Sequence, residues 1–90
     1  MSSIVPLQFI REEQFDNFFR GLAESYPRLH ELDLAIEWAL SRDPERFYRV
    51  EPDYFLWKLD DVIRGLPQIE ILYRYDRDAG IVYLIRARQV

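Results

Sequence analysis

The chain has 90 residues, 49% of them hydrophobic and 16% aromatic, a composition that excludes an intrinsically disordered segment. It contains no cysteine, which excludes disulfides and thiolate metal sites. Most proteins that bind phosphates are basic overall, and the formal net charge of -4 argues against that class. We expect a single domain over residues 1–90, with one hydrophobic core.

The charge is unevenly distributed along the chain. Residues 1–45 carry four arginines and nine acidic residues, whereas residues 46–90 carry seven arginines, one lysine and seven acidic residues. A locally basic surface is therefore expected only from the second half. The sequence has no apolar run that could span a bilayer, and its first residues do not resemble a signal peptide. We expect a cytoplasmic protein.

The first half predicts one strand and two helices. Residues 4–10 form a short strand, which lies at a sheet edge or begins after Pro6 because proline cannot donate to a ladder. A helix is predicted at 11–25 and a second at 28–41, with Pro27 ending the first helix and opening the second. Two apolar stripes at helical spacing support them: Phe15, Phe18, Phe19, Leu22 and Tyr26 in the first, and Leu29, Leu32, Ile36, Ala39 and Leu40 in the second.

The end of the second helix is predicted at Asp43-Pro44, because the residue before a proline disfavours helical geometry. The following residues 46–50 fit either a short strand or an extended loop. Residues 60–67 contain two aspartates, a glycine and a proline and are predicted to form a loop.

The second half predicts three strands, at 54–59, 69–75 and 81–87, the last two joined by a hairpin connection at 76–80. Alternation predicts which side chains share a face in each strand. The sets are Phe55, Trp57 and Leu59; Ile69, Ile71, Tyr73 and Tyr75; and Ile81, Tyr83, Ile85 and Ala87. These apolar faces are expected to pack on the helical hairpin. Arg86 and Arg88 are then predicted to share the other face of the last strand with Val82 and Leu84.

The order of these elements resembles the RelE/ParE toxin superfamily of type II toxin–antitoxin systems. The runs that carry the resemblance are Pro52-Asp53-Tyr54 leading to Lys58-Leu59, Ile71-Leu72-Tyr73-Arg74-Tyr75, and Ile81-Val82-Tyr83-Leu84-Ile85. The resemblance implies an α+β fold: an N-terminal edge strand, an αα-hairpin, and a three-stranded antiparallel meander packed on the helices.

The resemblance also implies candidate catalytic residues, because RNA-cleaving members of this family use basic residues on the sheet. Lys58 corresponds to the family's strand lysine, and Arg86 and Arg88 lie near the position of its catalytic arginine. Glu70 stands where the family has another arginine, and a carboxylate there is expected to repel a scissile phosphate. The family's arginine and tyrosine beyond the last strand have no counterpart in this sequence. An mRNA endoribonuclease with an incomplete catalytic set is one interpretation, and the sequence leaves open whether the protein is an enzyme.

Three functions fit the sequence. The first is a toxin-like protein that inhibits translation with a weakened or lost RNase site and is neutralised by a small antitoxin. The second is a protein-binding module without enzymatic activity, either ParE-like and gyrase-directed or an inert relative, and the third is an unrelated interaction module. The ribosome with its mRNA, or gyrase, would be the target of the first two. No cofactor or metal site is expected, because His30 is the only histidine and a metal site would need further ligands of this kind.

Each candidate residue also has a purely structural interpretation. Arg74, Arg86 and Arg88 can be solvated or ion-paired, for example with Glu70, and Lys58 can be a surface lysine whose stem covers apolar surface. The three tyrosines at 73, 75 and 83 could stack bases, but a ladder of tyrosines beneath two helices favours the core.

Overall fold

The computed structural model describes residues 7–59 and 68–90. The elements within this part of the chain follow one another as β1 Gln8–Arg11, α1 Glu13–Ala23, α2 Leu29–Arg42, β2 Tyr48–Glu51, β3 Tyr54–Leu59, β4 Ile69–Asp76 and β5 Ile81–Gln89. The predicted loop at 60–67 and the start of the predicted first strand, residues 4–6, lie outside the described residues.

Both helices form where the apolar stripes predict them, but the link between them differs from the prediction. The first helix ends at Ala23, before Pro27 is reached, and the second begins at Leu29. The backbone N–H groups of Ser25 and Tyr26 donate to the carbonyl of Leu22, which closes the helix with a turn. The prediction that Pro27 ends one helix and opens the next was therefore wrong, whereas the predicted stop of α2 at Asp43 is confirmed.

The strands form one mixed sheet in the order β1-β5-β4-β3-β2. The first strand runs parallel to β5 at one edge, which confirms its predicted edge position. The other pairs are antiparallel. Residues 48–51 form an edge strand at the opposite side, so the ambiguous segment extends the predicted three-stranded meander by one strand.

A β-bulge in β5 overturns the predicted faces of that strand. Leu72 of β4 pairs with Arg86, but the next residue of β4 pairs with Leu84, so Ile85 has no partner of its own. The side chains before the bulge are therefore inverted relative to strict alternation. Val82 and Leu84 are fully buried in the core, and the prediction that Ile81, Tyr83 and Ile85 share the core-facing side with Ala87 was wrong for all but Ala87.

The core lies between the two helices and one face of the sheet. Its buried members come from α1, α2, β3, β4 and β5: Phe15, Phe19, Leu29, Leu32, Ile36, Leu40, Phe55, Trp57, Leu59, Ile69, Ile71, Tyr73, Val82, Leu84 and Ala87. The predicted core faces of the strands at 54–59 and 69–75 are thus confirmed. Of the described helices, none has the length and apolar character needed to cross a membrane.

Candidate functional site

The face of the sheet that points away from the helices, here called the open face, collects the candidate site residues. Its side chains come from alternate positions of β3 and β4 and from the two sides of the bulge in β5: Tyr54, Leu56, Lys58, Glu70, Leu72, Arg74, Tyr83, Arg86 and Arg88. The register arranges them in three rows across the strands, and each row has a different chemistry.

The first row places a buried carboxylate between two cations. Glu70 lies opposite Lys58 on one side and opposite Arg88 on the other. The Nε of Arg88 donates to Oε1 of Glu70 at 2.7 Å. The side chain of Glu70 is 7% exposed, whereas that of Arg88 is 67% exposed, so the carboxylate is buried and the guanidinium remains largely in solvent.

The second row is the apolar floor of a shallow groove. Leu56 and Leu72 lie side by side, and Arg86 lies opposite Leu72. The groove has a volume of about 350 Å³ and is also lined by Val50 and Tyr54. Because Glu51, Glu70, Arg86 and Arg88 also line it, the groove combines charged groups of both signs with apolar contact surface.

The third row is aromatic. Arg74 lies opposite Tyr54 and Tyr83, and its guanidinium carbon stands 4.2 Å from the centroid of the Tyr83 ring, which is a cation–π geometry. Tyr83 was expected in the core, and this expectation was wrong because the bulge turns the ring to the open face. Tyr73 is fully buried as expected, and Tyr75 packs against the core.

All three predicted site residues, Lys58, Arg86 and Arg88, lie on the open face. The two arginines do not share a face with Val82 and Leu84, as strict alternation predicted, because the bulge separates them. Sequence reasoning anticipated an ion pair with Glu70 but missed the burial of its carboxylate. The opposite charges of Glu70 and Arg88 were visible in the sequence, but the strand register that pairs them was not.

Two further ionic clusters lie away from the open face. Arg11 donates from Nε to Asp16 and from a terminal nitrogen to Asp33, both at 2.7 Å, and its guanidinium stands over Phe15 and Phe19. Burial alone would lower the pKa of Arg11, but the hydrogen bonds and charges of the two aspartates outweigh burial and raise it. This cluster ties the end of β1 to both helices.

The second cluster holds the segment between α2 and β2. Arg77 and Arg49 both donate to Oε1 of Glu45, and Arg49 also donates to the carbonyl of Pro52. The hydrogen bond from Arg77, aided by that from Arg49, holds the pKa of Glu45 below its ordinary value. The cluster fixes the approach to β2, and its cations are already engaged by a carboxylate.

The open face carries cations, a carboxylate and tyrosine hydroxyls, but not the single histidine of the sequence. His30, the only histidine of the sequence, is exposed on α2 on the helical side of the molecule. Over residues 7–59 and 68–90 there is also no cluster of three side chains that could hold a metal ion. The described part of this face therefore presents cations, a buried carboxylate and aromatic rings around a shallow groove.

The fold matches a solved toxin structure. The chain is similar to a double arginine-to-alanine mutant of E. coli toxin RelE in the free state, with a TM-score of 0.69 over 94% of this chain and 84% of that one. Sequence identity is 15%, so the match shows a RelE-like fold. No protein-family model and no curated protein matches the sequence.

Proposed function

We propose that this RelE-like chain is the toxin-like member of a type II toxin–antitoxin pair, which inhibits translation through its open face with weakened or lost RNA cleavage. The observation that carries the proposal is the grouping of Lys58, Arg86 and Arg88 on the exposed face of a sheet whose fold is that of toxin RelE. Lys58 is distant in sequence from the two arginines, and the strand register brings all three to the same face.

The open face suits single-stranded RNA better than a duplex. Proteins that bind single strands combine cations along the backbone with aromatic side chains that stack on bases. Tyr54 is 38% exposed beside the groove, and Tyr48, which lies opposite Leu56 at the sheet edge, is 72% exposed. Exposed rings next to cations therefore accompany the groove along β2 and β3.

Cleavage is the part of the function that this face supports least. Breaking a phosphodiester through its 2′-hydroxyl needs a base, an acid and cations for the charge of the transition state. Glu70 is paired with Arg88 and lies beside Lys58. Its negative charge therefore offsets part of the positive charge that would stabilise the transition state. We therefore expect the protein to bind RNA through the open face and to cleave it slowly or not at all.

The proposal is tested by growth arrest on controlled expression. Lys58→Ala and Arg88→Ala are expected to abolish the arrest, whereas Arg20→Ala, which removes an exposed cation from α1, is expected to retain it. Folding of each variant is checked by circular dichroism. Arrest that survives both open-face variants contradicts action through this face, and the absence of arrest from folded wild-type protein contradicts the toxin assignment.

A second candidate function, protein binding without enzymatic activity, is favoured by the outer side of α2. Leu34 and Trp38 stand one helical turn apart and are 65% and 63% exposed. Exposed apolar side chains in neighbouring positions are typical of protein contacts. Arrest that is lost in Trp38→Ala but kept in Lys58→Ala would favour this alternative, in which the target is a protein such as gyrase or the partner is an antitoxin.

A further inference from the structure

The Glu70–Arg88 pair has an asymmetry that charge counting does not capture. The carboxylate is buried, the guanidinium is exposed, and the hydrogen bond joins them through Nε. A guanidinium has one N–H at Nε and four at its two terminal nitrogens. Within residues 7–59 and 68–90, the terminal nitrogens of Arg88 have no hydrogen-bond partner, so no described residue occupies these donors.

We propose that Glu70 is the positioning residue of the open face: its buried carboxylate holds Arg88 by Nε and thereby presents the terminal nitrogens to an anionic ligand. The inference rests on the proposed function and names a phosphate of single-stranded RNA as that ligand. Glu70 then favours anion binding at Arg88, in contrast to the repulsion expected from its charge alone.

The physical reason lies in conformational entropy. A free arginine side chain must be immobilised when it grips a phosphate, and this immobilisation weakens binding. The strand fixes Glu70, whose burial restricts its rotamers, and the 2.7 Å hydrogen bond passes that restriction to Arg88. The terminal fork of arginine matches two oxygens of a phosphate, so a guanidinium already held in place binds with less loss of freedom.

Lys58 supplies the contrast within the same row. It is exposed, lies on the other side of Glu70, and makes no ion pair with the described residues. A flexible lysine acts as a point charge and needs no fixed orientation. Loss of Lys58 should therefore reduce RNA affinity through charge, whereas changes at Glu70 should act through the orientation of Arg88.

Binding of a fluorescent single-stranded RNA oligonucleotide separates the two accounts, because they predict opposite signs. Glu70→Leu removes both the negative charge and the acceptor for Nε of Arg88, and repulsion alone predicts tighter binding. Positioning predicts binding that is about two- to tenfold weaker, since Arg88 must then be immobilised by the RNA. Glu70→Asp sharpens the test because it keeps the charge and withdraws the carboxylate from Arg88. Weaker binding in both variants, with thermal melting showing that they are folded, supports the inference; tighter or unchanged binding overturns it.

Nuclear magnetic resonance provides a readout that does not depend on RNA. In the wild-type protein the Nε–H signal of Arg88 is expected to exchange slowly with water and to move or vanish in Glu70→Leu, while that of Arg20 stays unchanged. An unaltered Arg88 signal overturns the positioning role. If the wild-type protein neither arrests growth nor binds RNA, the proposed function and the phosphate ligand are both wrong. The Arg88 signal then still shows whether Glu70 holds Arg88 in place.

Discussion

The hydroxyl of Tyr73 provides a test of how the fold is held together. The ring is fully buried and stacks on Phe55 with centroids 5.2 Å apart, and its hydroxyl donates to the carbonyl of Pro44 at 2.7 Å. Tyr73→Phe keeps the ring and removes only the donor. Because the carbonyl of Pro44 loses this partner in a partly buried position, we expect the free energy of unfolding to fall by about 1–2 kcal/mol.

The assay is reversible unfolding in urea and by heat, with Tyr48→Phe as the matched control. Tyr48 is 72% exposed, and its substitution should leave stability unchanged within about 0.5 kcal/mol. For a domain of this size the loss in Tyr73→Phe corresponds to a fall in Tm of about 5–15 °C. A fall in Tm no larger than that of Tyr48→Phe would refute the reasoning.

The same hydroxyl predicts a loss of stability in alkali. Burial raises the pKa of Tyr73 far above its ordinary value of 10.0, and the charges of Asp43 and Glu45 raise it further. The folded protein thus holds this proton more tightly than the unfolded chain, so the stabilisation is complete below pH 10 and is lost as the pH rises beyond it. Tyr73→Phe should lack this part of the decline, while Tyr48→Phe should keep it.

Four further substitutions test three separate features, each by urea unfolding. Arg11→Ala removes a half-buried cation from two carboxylates and two rings and should destabilise the fold by about 1–3 kcal/mol; no change would show that the cluster is merely a surface arrangement. Glu70→Leu should be neutral or stabilising, because a buried ion pair seldom outperforms an apolar side chain, and a large loss of stability would contradict this. Gly80→Ala should cost about 1 kcal/mol or more because its φ is +68°, whereas Gly21→Ala in α1 should stabilise by about 0.5–1 kcal/mol; equal effects would refute the conformational argument.

The helices and the two central strands could be predicted because their burial follows a regular period. The stripe from Leu29 to Leu40 repeats at helical spacing, and Phe55, Trp57 and Leu59 alternate, so periodicity assigns them to the core. Residues 46–50 stayed ambiguous for the opposite reason. The side chains of β2 are exposed throughout, and an edge strand with no buried face leaves no period in the sequence.

The last strand shows what periodicity cannot reveal. Both faces of β5 before the bulge are apolar, with Ile81 and Tyr83 on one side and Val82 and Leu84 on the other, so the sequence gives no preference between them. No glycine marks the bulge at Ile85. The candidate site depended on this feature: Arg86 and Arg88 were recognised as exposed basic residues, but their neighbours were assigned to the wrong side.

The unpaired Ile85 also determines which side chains of β5 face the core. Because Ile85 is an extra, unpaired residue, Val82 and Leu84 point into the core while Arg86 and Arg88 point out of it. Deleting Ile85 would join Leu84 directly to Arg86, so strict alternation would keep the aliphatic side chains in the core and the cations out of it. The strand should therefore tolerate the loss of Ile85 with both of its faces unchanged.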